Sequence, residues 1–279
     1  IAFGCGLLVL HVMGLIDDRR PLGPWLKLLV QILIATTLAI WFDVRLLRVV
    51  DDALGLGSIP SVVITVLWIV VVTNAINFLD NMDGLAAGVS VIAGGFLMAA
   101  AILNDQWFVA ATLAVLIGTT TGFLMFNLPP ARIFMGDGGS LVIGFTLAVM
   151  VARTTFYNPA ESGTGLGTAW YGVFMPLAIL AVPLYDLCTV CLLRISQGKS
   201  PLVGDQQHYS HRLVSRGLSG RSAVFFIWGV AAVTGIAGVS LAHLAAWQAV
   251  LVGVQVVLIL GLLALLERAS RKATHHDRI

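Results

Sequence analysis

Side chains able to do polar chemistry are scarce in this chain, and they gather in four short groups far apart in sequence. The densest runs Asn77-Phe78-Leu79-Asp80-Asn81-Met82-Asp83-Gly84-Leu85. Asn77, Asp80 and Asp83 recur every three residues and face one direction if the local backbone is helical. Upstream, Gly14-Leu15-Ile16-Asp17-Asp18-Arg19-Arg20 sets two acids side by side, and Lys27 and Gln31 follow at a spacing that shares a helix face. A third group extends from Asn127 through Phe134-Met135-Gly136-Asp137-Gly138-Gly139-Ser140, with glycines around an acid just ahead of an apolar run. The fourth is Asp205-Gln206-Gln207-His208-Tyr209-Ser210-His211-Arg212-Leu213. Acids and amides suit a hard divalent cation. Backbone N–H groups at a glycine-rich helix start suit anions, as do lysine, arginine and histidine.

Each group also has a plainer reading. Asp17 and Asp18 could be a solvated helix end balanced by Arg19 and Arg20, although adjacent acids repel unless a cation or a raised pKa relieves them. Lys27 could merely snorkel. Acids near a helix terminus, Asp137 included, could be caps. His208 and His211 could be ordinary loop histidines; no cysteine accompanies them, which argues against zinc. Cys188 and Cys191 have a redox spacing, but near the end of an apolar helix they read as packing residues.

The surrounding sequence supplies what single groups cannot. Of 279 residues, 58% are hydrophobic and 11% charged, with a mean hydropathy of +0.96, which excludes a soluble globular domain. Nine apolar spans are expected, at 1–16, 22–42, 60–79, 85–103, 107–126, 138–156, 169–193, 222–243 and 245–266. They must be helices, because lipid offers no partner for an unpaired backbone. Pro176 and Pro183 are expected to kink the seventh, and residues 43–59 to form a short amphipathic excursion. The result is an all-α polytopic bundle, read as one catalytic domain over 1–279. A chain that opens with Ile1 inside an apolar run reads as an N-terminal truncation, and acids after the first span argue against a signal peptide.

Strict alternation of the spans puts all four polar groups on one side. That side also receives every lysine and arginine of the chain except Arg45, Arg48 and Arg153, so it is expected to be cytoplasmic. Acids for a metal and bases for phosphates, gathered on one membrane face, describe phosphoryl transfer between a soluble phosphorylated donor and a lipid acceptor.

With these groups assembled, the sequence resembles the polyprenyl-phosphate N-acetylhexosamine-1-phosphate transferases (glycosyltransferase family 4). The likeness lies in Asp17-Asp18, Asn77-x-x-Asp80-x-x-Asp83-Gly-Leu, Phe134-Met-Gly-Asp137-x-Gly-Ser and Asp205-x-x-His208-x-x-His211-Arg-Leu, in the same order over nearly the whole chain. The resemblance implies ten or eleven membrane helices in the whole protein, one or two of them upstream of Ile1. It implies transfer of a sugar 1-phosphate from a UDP-sugar to undecaprenyl phosphate, with release of UMP and a need for Mg2+, Mn2+ being an admissible substitute. Asn77 and Asp137 would then ligate the metal. Asp83 would lie near the uracil, with Phe134 stacking on it and Asn127 close by; Asp80 belongs to the same catalytic run. Lys27, His208, His211 and Arg212 would steady phosphates, and Asp17 or Asp18 would deprotonate or position the acceptor phosphate. Asp186, about two turns from Arg194, also matches a family position and is expected to pair inside the bundle.

Two positions depart from the family pattern: Ser210 stands where a third histidine is common, and Asn81 replaces a usual glycine. The loops favour the GlcNAc-1-phosphate branch, which starts O-antigen lipopolysaccharide, enterobacterial common antigen or teichoic acid in cell-wall biogenesis at the bacterial inner membrane. The phospho-MurNAc-pentapeptide transferase branch is the alternative. A homodimer is compatible with this reading, and nucleic acid is not an expected partner. From another class, a transporter of an anionic solute would also explain many spans, but transporters place their ligand near the bilayer midplane.

Overall fold

The computed structural model describes residues 1–154, 174–201, 208–241 and 244–276. Among the described residues twelve helices follow one another: α1 Ala2–Asp17, α2 Pro24–Trp41, α3 Val49–Leu54, α4 Ile59–Leu79, α5 Leu85–Leu103, α6 Trp107–Asn127, α7 Gly136–Arg153, α8 Met175–Ile179, α9 Ala181–Ser196, α10 Tyr209–Val214, α11 Gly220–Ser240 and α12 Ala246–His276. Among the described residues no strand occurs. Seven of the helices are long and apolar enough to cross a bilayer: α2, α4, α5, α6, α7, α11 and α12 as far as Ala264. The all-α polytopic bundle expected from hydropathy is therefore what the chain forms.

The other two expected spans differ from a simple crossing. The first, α1, is apolar but has only 16 residues. The seventh is two helices rather than one kinked rod, and its residues 169–173 lie outside the described residues. Its break falls at Leu180, between α8 and α9. Proline accounts for that position: Pro183 has no N–H to give to the Ile179 carbonyl, and its ring crowds that same carbonyl. Pro176, by contrast, sits in the first turn of α8, where no N–H is required. At the other end of the chain α12 continues to His276, past the boundary at 266.

Helix α7 organises the packing. It is the least hydropathic of the seven spans (1.2), yet the largest share of its window, 67%, is buried. A helix shielded from lipid by its neighbours has no need of a greasy surface, and glycine, serine and threonine let those neighbours come close. On α4, Thr73 backbone atoms lie 2.8–2.9 Å from where a Gly144 Cβ would stand. On α1, Gly14 meets the start of α7 even more tightly: an added Cβ would stand 2.4 Å from Gly138 N and 2.5 Å from the Asp137 carbonyl carbon. Helix α12 is the opposite case, with 17% of its window buried, and forms the rim of the bundle.

The connection 43–59 contains the short helix α3, set by a compact ionic network. Arg45 pairs with Asp43 (2.8 Å) and Asp51 (3.2 Å), while Asp51 accepts from Ser61 N (2.9 Å) and Ser61 Oγ (2.7 Å). These groups compensate one another and tie the loop to the first turn of α4.

The contact between α1 and α7 is backbone against backbone, so a methyl group there has no flexible neighbour to displace. Gly14→Ala is expected to lower stability by about 1–3 kcal/mol, the usual cost of overpacking, seen as a lower thermal midpoint of the purified protein in detergent. An unchanged midpoint would mean that the two helices are not held in this contact.

Candidate active site

The ends of α1, α4, α6 and α9 meet the starts of α2, α5, α7 and α11 at one end of the bundle, and the polar groups lie there. Three of the four groups are joined directly. Lys27, in the first turn of α2, reaches across to Asp17 Oδ2 (2.9 Å) and Asp137 Oδ2 (2.8 Å), donating to both. The other oxygen of Asp17 accepts from Leu22 N (2.8 Å). The other oxygen of Asp137 accepts from Asn77 Nδ2 (2.8 Å), which also donates to the buried Ser140 Oγ (2.9 Å). Both amide hydrogens of Asn77 are thus used, and its Oδ1 is the atom left to meet a cation.

Asp18 has a different task from its neighbour. Its carboxylate accepts from Asp137 N (2.9 Å) and Gly138 N (3.3 Å), capping α7 from another helix. Asp137 therefore owes its position to Asp18 through its backbone and to Lys27 and Asn77 through its side chain. Gly136 makes this cap possible: its φ of +62° is costly for any other residue, and a Cβ there would stand 2.5 Å from Asp18 Oδ2. His11, exposed on α1, completes the seam with its Nδ1 2.9 Å from the Gly138 carbonyl. The sequence reading passed over His11. A signal existed, since His11, Gly14 and Asp18 fall at i, i+3 and i+7 and share the helix face that meets α7.

Asp80 lies in the turn after α4, partly buried beside these groups. Burial, and then the carboxylates of Asp137 and Asp18, push its pKa up to about 7. Lys27 answers two carboxylates, Asp17 and Asp137, while the charges of Asp137 and Asp18 both act on Asp80, an excess of negative charge that a cation would relieve. Among the described residues no three Asp, Glu, His or Cys side chains already converge as a closed metal cage. An incomplete set fits Mg2+, which takes one or two carboxylates and completes its shell with substrate phosphates and water.

The second and third groups meet again a few residues on. Asp83 Oδ2 accepts from Ala131 N (2.9 Å). Asn127, buried at the end of α6, accepts from Gly84 N at Oδ1 (2.9 Å) and donates from Nδ2 to the Ile133 carbonyl (2.8 Å). Together they hold the segment 128–135 over the start of α5. Phe134 projects from it with 78% of its surface exposed.

The fourth group joins the others at the end of α4. His208 begins α10, and its Nδ1 lies 2.8 Å from Asp186 Oδ2, while Asp186 Oδ1 accepts from Tyr209 N (2.7 Å). Asp186 is therefore the buried acid of the bundle that orients the imidazole and leaves Nε2 as its working atom. The sequence reading noted Asp186 without giving it this partner. The His208 ring stands edge-on to Phe78 (5.8 Å between centroids), and the Arg194 guanidinium lies 5.3 Å from the same ring. Phe78 adjoins Asn77, so both halves of the site rest on one turn of α4. His211 sits 6.5 Å from His208, ring to ring; burial and then that neighbour hold its pKa below the usual value. Arg212 donates to Thr189 Oγ1 (3.2 Å) and lies over the Tyr209 ring. Asp205, at the head of this group, lies outside the described residues.

This arrangement, with polar groups from four distant stretches gathered at the ends of membrane helices, can be set beside proteins of similar sequence. The sequence model of glycosyl transferase family 4 matches residues 1–155. A probable undecaprenyl-phosphate N-acetylglucosaminyl 1-phosphate transferase of Bacillus subtilis (strain 168) is 33% identical over 253 residues, covering 88% of this chain and 67% of that protein. A decaprenyl-phosphate N-acetylglucosaminephosphotransferase of Mycolicibacterium smegmatis is 31% identical over 236 residues, covering 79% of this chain and 58% of its own length. A phospho-N-acetylmuramoyl-pentapeptide-transferase of Desulforudis audaxviator is 37% identical, but over 177 residues and 53% of this chain. The chain thus spans from about half to two thirds of the length of these relatives. With the family match covering more than half of the chain, including the groups around Asp17, Asn77 and Asp137, this multi-pass membrane protein belongs to glycosyl transferase family 4.

Proposed function

We propose that this protein transfers N-acetylglucosamine 1-phosphate from UDP-GlcNAc to undecaprenyl phosphate at the cytoplasmic face of the bacterial inner membrane, starting a lipid-linked envelope glycan. The observation that carries this reading is the joining of Lys27, Asp17, Asp137 and Asn77 at helix ends, one residue from Phe78 and its contact with His208. Helix ends are where a soluble nucleotide and a lipid headgroup would meet. The excess of lysine and arginine on this side of the spans supports the cytoplasmic orientation. The relatives that align with most of the chain carry GlcNAc-phosphate names, whereas the pentapeptide transferase aligns with about half.

In the proposed reaction an oxygen of the acceptor phosphate attacks the β-phosphorus of the UDP-sugar. The bond from that phosphorus to the oxygen bridging it to the α-phosphorus breaks, and UMP leaves with the bridging oxygen. Asn77 Oδ1 and Asp137 would hold a Mg2+ ion, whose chemistry is to neutralise diphosphate charge. Lys27, already shared between Asp17 and Asp137, offers its ammonium to the same phosphates. Asp17 faces the acceptor and holds or accepts its proton. Asp18 acts through the α7 cap and is a positioning residue. His208, held by Asp186, and His211 and Arg212 steady the diphosphate. Asp83 and Asn127 shape the segment that presents Phe134, whose exposed ring suits stacking on uracil. Residues 1–279 act as one catalytic unit in this scheme.

Labelled UDP-sugars incubated with the purified protein and undecaprenyl phosphate test the reading. UDP-GlcNAc is expected to yield UMP and a lipid-linked sugar, and chelation of Mg2+ to stop both. Label moving across a vesicle membrane without UMP release would favour a carrier. Preference for UDP-MurNAc-pentapeptide would move the protein to the other branch.

Asp80 gives a second test, through pH. Its folded pKa of about 7 lies above the model-compound value of 3.8, so the folded state holds this proton more tightly than the unfolded state. The stability this contributes is complete below about pH 4, declines as pH rises, and is gone above about pH 7. In EDTA the thermal midpoint of the protein is expected to fall between pH 5 and 7.5, and Asp80→Asn to flatten that fall.

A further inference from the structure

We propose that Asn81 and Ser210 form a positioning latch, which sets the histidine-bearing helix α10 against the carboxylate turn. The inference rests on the phosphotransfer reading above and adds two residues to it. The observation is a single hub. Ser210 is 1% exposed, and its hydroxyl donates to Asn81 Oδ1. The same asparagine side chain donates from Nδ2 to the Phe78 carbonyl (2.7 Å). One asparagine thus ties Ser210 of α10 to the last turn of α4, which carries Asn77 and the Phe78 ring that stands edge-on to His208.

The geometry explains why the hub is needed. Helix α10 has only six residues, too few to hold its own orientation by internal hydrogen bonds. Asp186 fixes its N-terminal end through the ring of the N-cap His208 and the Tyr209 N–H. Thr189 accepts from Arg212 further along, and since Asp186 and Thr189 both lie on α9, neither contact sets the distance of His211 from the carboxylate turn. The Ser210–Asn81 contact ties α10 to a different element, the turn that leads from Asn77 and Asp80 into Asp83. The imidazoles and the carboxylates then keep one spacing, which a reaction between two bound phosphates requires. Neither Asn81 nor Ser210 needs to touch substrate to do this. The Ser210 hydroxyl is buried, so losing the Asn81 acceptor leaves it without its partner.

The test is a double-mutant cycle on the purified protein, with turnover expressed per nucleotide-binding site measured by titration with UDP. This normalisation removes any loss of folded material. Ser210→Ala and Asn81→Ala are each expected to lower turnover per site about tenfold, with UDP affinity unchanged. The double variant is expected to fall no further than the worse single variant, and Ser210→Thr, which keeps the hydroxyl, to turn over faster than Ser210→Ala. Wild-type rates per site in the alanine variants would overturn the latch, as would losses that multiply to about a hundredfold or a threonine variant no better than alanine. A wild-type protein that releases no UMP from any UDP-sugar would instead sink the phosphotransfer reading, so the two failures are distinct.

Discussion

The site depends on one shared ion. Lys27 stands between Asp17 and Asp137 at hydrogen-bond distance from both, and three helices, α1, α2 and α7, meet through its ammonium. These side chains keep between 14% and 24% of their surface, so water screens the pairs and their worth to stability is modest. Their worth to function is different. Two carboxylates on separate helices approach a common point only while a cation lies between them, and the same cation is what an incoming phosphate would compete for.

Around that point the fold divides its labour between small residues and polar ones. Gly14, Gly136 and Gly144 let backbones close to distances that a side chain would forbid, and Asp18, Asn77 and Asn127 then meet the polar groups that this closeness exposes. Helix α7 shows the bargain most clearly. Its low hydropathy would be a fault in a helix facing lipid, but surrounded by α1, α4, α5 and α6 it can begin with Gly-Asp-Gly-Gly-Ser and still cross the bilayer.

Much of this was legible in the sequence. Apolar length located the spans, because lipid imposes a length that sequence must respect, and Asp17, Lys27, Asn77 and Asp137 stood out because strongly polar side chains in such surroundings are rare. What periodicity could not show was the division between adjacent acids. Asp17 and Asp18 are chemically alike, and only the closeness of α7 makes one the partner of Lys27 and the other a cap. His11 was passed over although it shares a helix face with Gly14 and Asp18, because its partner, the Gly138 carbonyl, lies 127 residues away. Asp186 was visible as a buried acid, but its partner lies 22 residues away across a loop. Leu180 was missed as a break because two prolines offered two places for it, and the missing N–H of Pro183 decides between them.

The cap on α7 has a temporal side as well. Asp18 and the amide it satisfies are 119 residues apart, yet they belong to adjoining helices in the finished bundle. At roughly 5–20 residues per second of synthesis, the acid leaves the ribosome about 6–24 s before its partner. During that interval α1 lies in the bilayer with an unfinished polar terminus, and the hairpins made later must leave a berth beside it. The cap that joins α1 to α7 can therefore form only after the chain has been made as far as Asp137.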